Sequence, residues 1–275
     1  MMQNLDPETV RGFGDEWERF DQTALSDDER SQIFADYFRI FPWDTLPNDA
    51  TGFDLGCGSG RWAQLVAPRV GLLHCIDPSS AINVARRNLA RFDNVVFHQQ
   101  SVATIPLADG TMDFGYSLGV LHHIPDTAAA MRNCVNKLKP GAPFLVYLYY
   151  AFDNRPLWYR ILWKSSEIVR AVVSRLPHIL RYGVSQILAL SIYWPLARLS
   201  KLGDRLGLAT QGWPLHFYRD LSFYTMRTDA LDRFGTRLEQ RFARTEIESM
   251  MRRAGLQNIE FSPGTPYWCA VGTKA

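Results

Sequence analysis

Cysteine is scarce in this chain: Cys57, Cys75, Cys134 and Cys269 are the four among 275 residues, far apart and never as CxxC. That spacing excludes a zinc knuckle, a thioredoxin-type redox pair and a disulfide framework, so the four read as small core residues. A surplus of one charge is missing too. With 30 Lys+Arg against 28 Asp+Glu, the chain is no strongly basic nucleic-acid binder on global grounds. Long apolar runs are absent: the sixteen uncharged residues between Arg181 and Arg198 include Gly183, Ser185, Gln186, Ser191 and Pro195, and a bilayer crossing takes about 20 apolar residues. The opening MMQNLDPETV has acidic residues and no apolar core, so neither a secretory signal nor a transit peptide is read and a cytoplasmic location is expected. No repeat or low-complexity tract is visible. No cluster of His, Cys and carboxylates stands at coordinating spacing, so no metal is expected.

What is present is a globular composition, 47% hydrophobic and 21% charged, with a length that suits one large domain or a domain carrying an insertion. Charge is uneven along it. Residues 1–50 hold 12 acidic against 4 basic side chains, whereas residues 151–227 hold 11 basic against 4 acidic. Opposite charge makes contact between leader and insert an expectation. From residue 51, short apolar runs alternate with helical stretches, the signature of a parallel sheet wound with helices. Strands are expected at 51–55, 72–77, 95–98, 112–117 and 143–149, with helices over 60–66, 79–91 and 126–139, the last two opening on a serine and an aspartate cap. A helix over 245–254 with a threonine cap, then strands at 257–262 and 267–272, closes the pattern, and the leader holds a helix over 26–41 stopped by Pro42.

About ninety residues separate the fifth strand from the last crossover helix, more than a loop needs, so residues 151–244 are read as an inserted, mainly helical cap. Leu157, Ile161, Ile168, Val172 and Leu176 share one helix face there, opposite Arg160, Lys164, Glu167 and Arg175. The expectation is that this stripe packs on the cap's own core; the alternative is a cationic amphipathic surface lying on anionic lipid.

The most informative residues are Asp54-Leu55-Gly56-Cys57-Gly58-Ser59-Gly60, three alternate glycines between an expected strand and an expected helix. Arg61-Trp62 stands where a P-loop needs Lys-Ser/Thr, and D-x-G-x-G-x-G is not the dinucleotide G-x-G-x-x-G. Glycines here let a flat ligand with little phosphate approach the backbone closely. Asp77 ends the second strand, where a carboxylate can accept from two ribose hydroxyls. After the fourth strand comes Leu121-His122-His123-Ile124-Pro125-Asp126.

With DLGCGSG, Asp77 and LHHIPD together, the chain resembles the class I S-adenosylmethionine-dependent methyltransferases over about 51–150 and 245–272. The resemblance implies an α/β Rossmann-like sheet of seven strands ordered 3-2-1-4-5-7-6, S-adenosylmethionine as cofactor and S-adenosylhomocysteine as product. It implies that Asp54 holds the methionine amino group through water, that Gly56, Cys57, Gly58 and Gly60 pass beneath methionine and ribose, and that Asp77 binds the ribose. Pro78 would line the adenine, Ser101 and Val102 would meet its edge, and Ser117 and Leu118 would complete the methionine pocket. Ser101 stands where the family often has aspartate.

His122 and His123 are the general-base candidates, since imidazole titrates near working pH and the segment lies at the carboxyl end of the sheet; capping or backbone bonding is their bland alternative. Tyr149, Tyr150, Tyr218, Tyr224, Arg227 and Arg233 are the candidate acceptor contacts, the two arginines as bidentate clamps on a carboxylate or phosphate, although Asp229 and Arg233 also sit at i,i+4. Trp17, Tyr37 and Trp43 are candidates for a lid over the cofactor or for plain aromatic packing. The Asn/Asp-Pro-Pro-aromatic turn of nucleobase amino-methylating enzymes is absent after the fourth strand, and neither Cys134 nor Cys269 sits at a strand end for attack on a pyrimidine. The expected layout is an N-terminal helical lid over 1–50, a cofactor-binding core over 51–150 and 245–275, and an acceptor-binding cap over 151–244. The expected activity is methyl transfer to an oxygen or nitrogen of a small metabolite. The alternatives are a membrane-resident lipid or quinone acceptor, with peripheral membrane contact through the basic insert, and a non-catalytic cofactor-binding subunit. No nucleic acid partner is expected, and the oligomeric state is not legible.

Overall fold

The computed structural model describes residues 4–275; the first three residues of the expected lid lie outside the described residues. The apolar runs pair into one sheet, β1 (Thr51–Leu55), β2 (Leu72–Ile76), β3 (Val95–His98), β4 (Phe114–Leu118), β5 (Pro143–Tyr147), β6 (Leu256–Phe261) and β7 (Cys269–Lys274). Its order is β3-β2-β1-β4-β5-β7-β6, as the family resemblance implies. The first five strands run parallel, and β7 is antiparallel to both β5 and β6. Two rings lock the centre of the sheet. Phe53 lies over Gly115 and Phe114 over Gly52, and a Cβ on either glycine would stand 2.3 Å from the opposing ring.

Helices α1 (Pro7–Arg19) and α2 (Asp27–Tyr37) precede the sheet, and α3 (Ala63–Val66), α4 (Ala81–Asn88) and α5 (Thr127–Lys137) join its parallel strands. Asp126 caps α5 by accepting from the Ala129 N–H at 2.9 Å. The serine that opens the expected helix over 79–91 serves α4 as read: the Ser79 Oγ accepts from the Ala81 N–H at 3.2 Å. After β5 come α6 (Leu157–Val173), α7 (His178–Leu188), α8 (Trp194–Arg205), α9 (Phe223–Gly235) and α10 (Arg244–Arg253). Thr245 is no cap; α10 begins a residue earlier because the Glu246 carboxylate reaches back to the Ala243 N–H at 2.7 Å. This local bond satisfies a donor that the helix leaves open.

The described chain divides into two compact units. The first comprises residues up to Thr23, Arg30–Ala151 and Leu238–Ala275; the second comprises Ala24–Glu29 and Phe152–Arg237. In the first, α5 and α10 supply Met131, Val135, Ile247 and Met251 to a core shared with Phe53, Ile76, Phe144 and Val146. Phe38 meets Tyr116 edge-on at 5.2 Å and stacks on Trp43 at 5.4 Å. Trp43 therefore belongs to an aromatic core layer, with the Arg69 guanidinium 5.0 Å from its ring.

In the second unit Val173, Ala189, Tyr193, Ala197, Met226, Ala230 and Phe234 form the core. Ser222 caps α9 by accepting from the Thr225 N–H at 3.3 Å, and Glu29 holds that cap by accepting from the Ser222 N–H at 3.0 Å and the Thr225 hydroxyl at 2.7 Å. The apolar stripe of α6 departs from the packed-core expectation: Leu157, Ile161, Ile168 and Val172 are exposed. Glu167 turns inward to Arg170 and to Arg233 of α9, and Arg170 donates to the carbonyls of Thr236 and Arg237. Arg160, Lys164 and Arg175, the rest of the expected polar stripe, are exposed as well.

Candidate active site

Three glycines turn the chain from β1 into α3, and each lies at positive φ: +76° at Gly56, +53° at Gly58 and +77° at Gly60. L-residues avoid that region, so the turn depends on residues without a Cβ. The Gly56 and Cys57 N–H groups both donate to the Ile76 carbonyl, and Gly60 N–H donates to Cys57 at 2.8 Å. These bonds draw the ends of β1 and β2 together, so that Asp54 and Asp77 flank one turn.

The two carboxylates are in different states. Asp77 is well served: one oxygen accepts from the Gly58 N–H at 3.0 Å, the other from the Ser79 N–H at 2.8 Å and hydroxyl at 2.6 Å. Burial pushes its carboxyl up, and the Ser79 and Gly58 bonds oppose that. Asp54 is buried beside Tyr116, its neighbour across β1 and β4, and its Oδ2 has no hydrogen-bond partner among the described residues. Burial lifts its carboxyl from 3.8 to about 8; the Tyr116 phenol and Arg61 oppose this, and the Asp77 charge adds to it. Without a cation beside it, a buried carboxyl holds its proton to higher pH.

Helix α1 lies against this turn. Gly14 fits the start of α4 closely, and a Cβ there would come within 2.6 Å of the Ser80 hydroxyl oxygen. Trp17 stands by Gly58, where a Cβ would lie 3.0 Å from its Nε1, and Val120 fills the space above Gly56. The space directly over Gly56 and Gly58 is thus taken by a valine and an indole. Arg61 lies 5.3 Å from the Trp17 ring and 4.3 Å from that of Trp62. Pro78 is half-buried beside Asp77. Ser101 and Val102 are buried at the start of a short turn, where the Ser101 hydroxyl meets that of Thr104 at 3.3 Å. The Ser117 hydroxyl donates to the Leu55 carbonyl at 3.0 Å, Leu118 is buried, and a Cβ at Gly119 just beyond would meet nothing within 4 Å.

The two histidines after β4 have opposite hydrogen-bonding roles. His122 is fully buried under Tyr149, with ring centroids 3.9 Å apart, and its Nδ1 accepts from the Tyr149 N–H at 3.4 Å. Burial, then the nearby His123 and Arg241, hold its pKa well below the ordinary range. A neutral ring with Nδ1 as acceptor carries its proton on Nε2, so His122 is a donor. In His123, Nδ1 meets the Leu238 carbonyl at 2.7 Å. A carbonyl only accepts, so Nδ1 carries the proton and the neutral ring presents a basic Nε2. Phe13 of α1 meets this ring edge-on at 4.9 Å.

The strap 238–242 that orients His123 was not anticipated as part of the site. Gln240 N–H donates to the His122 carbonyl at 3.0 Å and its side chain to the Ile124 carbonyl at 2.8 Å. Arg241 lies 5.0 Å from the Tyr149 ring and bonds Glu239 at 2.8 Å. Burial works against its charge, and Glu239 with the Tyr149 and Tyr147 phenols holds it. No motif flags Glu239-Gln240-Arg241. Tyr116 was legible in principle, as the β4 residue opposite Asp54.

Of the expected acceptor contacts, Tyr149 belongs to this cluster, and Tyr150 meets Tyr267 at 5.6 Å in the same unit. Tyr218, Tyr224, Arg227 and Arg233 belong to the second unit. There the Tyr218 hydroxyl donates to Asp229 at 2.8 Å, Arg227 holds Gln186 and the Tyr182 hydroxyl, and Arg233 holds Glu167 and Ser166. Both guanidinium groups thus tie α7 and α6 to α9. Tyr37 meets Tyr147 at 5.1 Å and Trp62 at 5.4 Å within the first unit.

Comparison with known proteins agrees with this geometry. Residues 53–146 match a family described as a methyltransferase domain. A ubiquinone biosynthesis O-methyltransferase of Stutzerimonas stutzeri is 29% identical over 129 residues, 46% of this chain and 54% of that protein. A trans-aconitate 2-methyltransferase of Agrobacterium fabrum is 26% identical over 122 residues, 44% of this chain and 46% of its own length. The chain spans about half the length of these curated relatives. The fold is shared with a candidate methyltransferase from Bacillus halodurans at 15% identity and a TM-score of 0.51, covering 83% of this chain and 71% of that one. The sheet order and the family match converge on the same residues: 53–146, which carry the glycine turn between the paired aspartates, match a methyltransferase domain, and the sheet around them has the fold of a candidate methyltransferase.

Proposed function

We propose that the chain binds S-adenosylmethionine at the carboxyl ends of β1 and β2 and catalyses methyl transfer to an oxygen or nitrogen acceptor, with His123 as general base. The observation that carries this is Asp54, a buried carboxylate oxygen without a partner beside a turn that only glycines can make. Bound S-adenosylmethionine supplies an electrophilic methyl group. Asp54 receives its ammonium group, Asp77 accepts from its ribose hydroxyls, and Gly56, Cys57, Gly58 and Gly60 let it approach the backbone. Pro78, Ser101 and Val102 border the adenine, with Ser117 and Leu118 at the methionine end. His123 Nε2 takes the proton that the acceptor O–H or N–H loses as its new bond to carbon forms, and the Leu238 carbonyl holds the imidazole in the required tautomer. His122, neutral and a donor at Nε2, orients an acceptor oxygen or nitrogen by hydrogen bonding. Tyr149, Tyr150 and Arg241 shape the acceptor end, and S-adenosylhomocysteine leaves as the other product.

A membrane-resident lipid or quinone is the second reading of the acceptor, favoured by the exposed apolar side chains of α6 to α8. Incubation of the full chain with methyl-labelled cofactor and separate water-soluble and lipid extracts, read by mass spectrometry for a gain of CH₂, tests both. Label in neither extract, with cofactor bound, would leave the chain as a non-catalytic binding subunit.

A further inference from the structure

All but one of the exposed large apolar side chains among the described residues lie between Leu157 and Trp213; the exception is Val96. Single exposed leucines are ordinary, but an apolar surface confined to one stretch of helices marks a site of association. The helices are also inverted in chemistry. Along α7, α8 and the five residues that join them, the buried positions are Ser185, Ala189, Ala197, Ser200 and Gly203, small or polar, with Tyr193 the one large ring. The exposed ones are large: Ile179 is 79% exposed, Ile187 64%, Leu190 62% and Leu206 68%. On α6, Ile168 is 71% exposed while Glu167 pairs inward. Water alone does not select such helices.

Charge identifies the occupant. Arg160, Lys164, Arg175 and Arg205 are exposed among these apolar positions. Glu167 and Asp204 are the only carboxylates in α6, α7 and α8, and both are engaged, Glu167 with Arg170 and Arg233, Asp204 with Arg219. A second copy of this surface would set cation against cation, whereas an anionic lipid surface complements it. No helix among the described residues is long and apolar enough to cross a membrane.

We propose that α6, α7 and α8 form an interfacial docking surface for anionic phospholipid bilayers, seating their apolar side chains at the acyl boundary with the arginines and Lys164 among the headgroups. Binding is read without turnover, so it stands or falls separately from the methyl-transfer reading. The test is flotation of the full chain with vesicles of phosphatidylglycerol and phosphatidylcholine, beside pure phosphatidylcholine, at low and high salt. The expected result is flotation with the anionic vesicles, weakened by salt, and lost at least tenfold in the variant I161D/I168D with its thermal unfolding unchanged. Lys164→Glu should cost binding to anionic vesicles roughly fivefold or more while sparing the fold. Absence of flotation at low salt by the folded protein would overturn the proposal. So would a wild-type dimer in light scattering that ignores vesicles and dissociates on Ile168→Asp, which would give the surface to a second copy.

Discussion

Lowering the pH from 8 to 6 should weaken S-adenosylhomocysteine binding by about 25-fold, and the reason is Asp54. Burial, with Asp77 adding and Tyr116 and Arg61 opposing, puts its carboxyl at about 8. The ligand's amino group has an ordinary value of about 8 as well. Binding joins a carboxylate to an ammonium and so requires one proton on the pair. At pH 8 each free group is half in its competent form; at pH 6 only about 1% of Asp54 is ionised, and the product of the two fractions falls roughly 25-fold. Well below pH 8 the slope approaches tenfold per unit, about 1.4 kcal/mol, and above pH 8 affinity declines again as the ligand amine loses its proton. Calorimetry at pH 6, 7 and 8 in buffers of different ionisation enthalpy reads both affinity and proton count, with close to one proton released at pH 6. In Asp54→Asn the acid limb and the proton release should vanish and binding at pH 8 should weaken. A wild-type affinity constant within about twofold across this range would refute the account.

The same residue affects the free protein. Because the folded-state pKa lies above the unfolded value of 3.8, the protonated form favours the fold. Its contribution is full below about pH 4 and is lost as pH rises toward 8. Without cofactor, Asp54→Asn should therefore melt higher than wild type at pH 8 and alike at pH 4, and saturating cofactor should narrow the gap. His123→Gln should lower kcat by about 10²–10⁴-fold with cofactor affinity little changed, whereas His122→Gln, removing a donor and not a base, should cost less; equal losses would contradict the tautomers assigned here. Gly58→Arg places a side chain at positive φ against Trp17, so calorimetry should detect no cofactor binding by a chain that still folds. Arg233→Ala leaves Glu167 with one cation in a half-buried place, and chemical denaturation should register a loss of about 1–3 kcal/mol, with methyl-acceptor KM moving only as far as stability does.

Local chemistry in the sequence determined much of the first unit. Short apolar runs set the strands, an aspartate cap set the start of α5, and three glycines in five residues set the turn that brings Asp54 and Asp77 together. These depend on residues within a few positions of one another, whose conformational preferences are written in order along the chain. Tertiary structure decided the rest. His122 and His123 are alike in sequence, and only Tyr149 from beyond β5 and Leu238, more than a hundred residues on, give their Nδ1 atoms opposite hydrogen-bonding roles. Glu239 and Arg241 became part of the site because a strap crosses the cluster, a placement no spacing rule carries. For α6, periodicity described an apolar stripe and a polar one without saying what either would meet. Of the polar stripe only Glu167 turns inward, to Arg170 and to Arg233 of α9, while Arg160, Lys164 and Arg175 stay exposed beside the apolar side chains, and that placement depends on a partner distant in sequence.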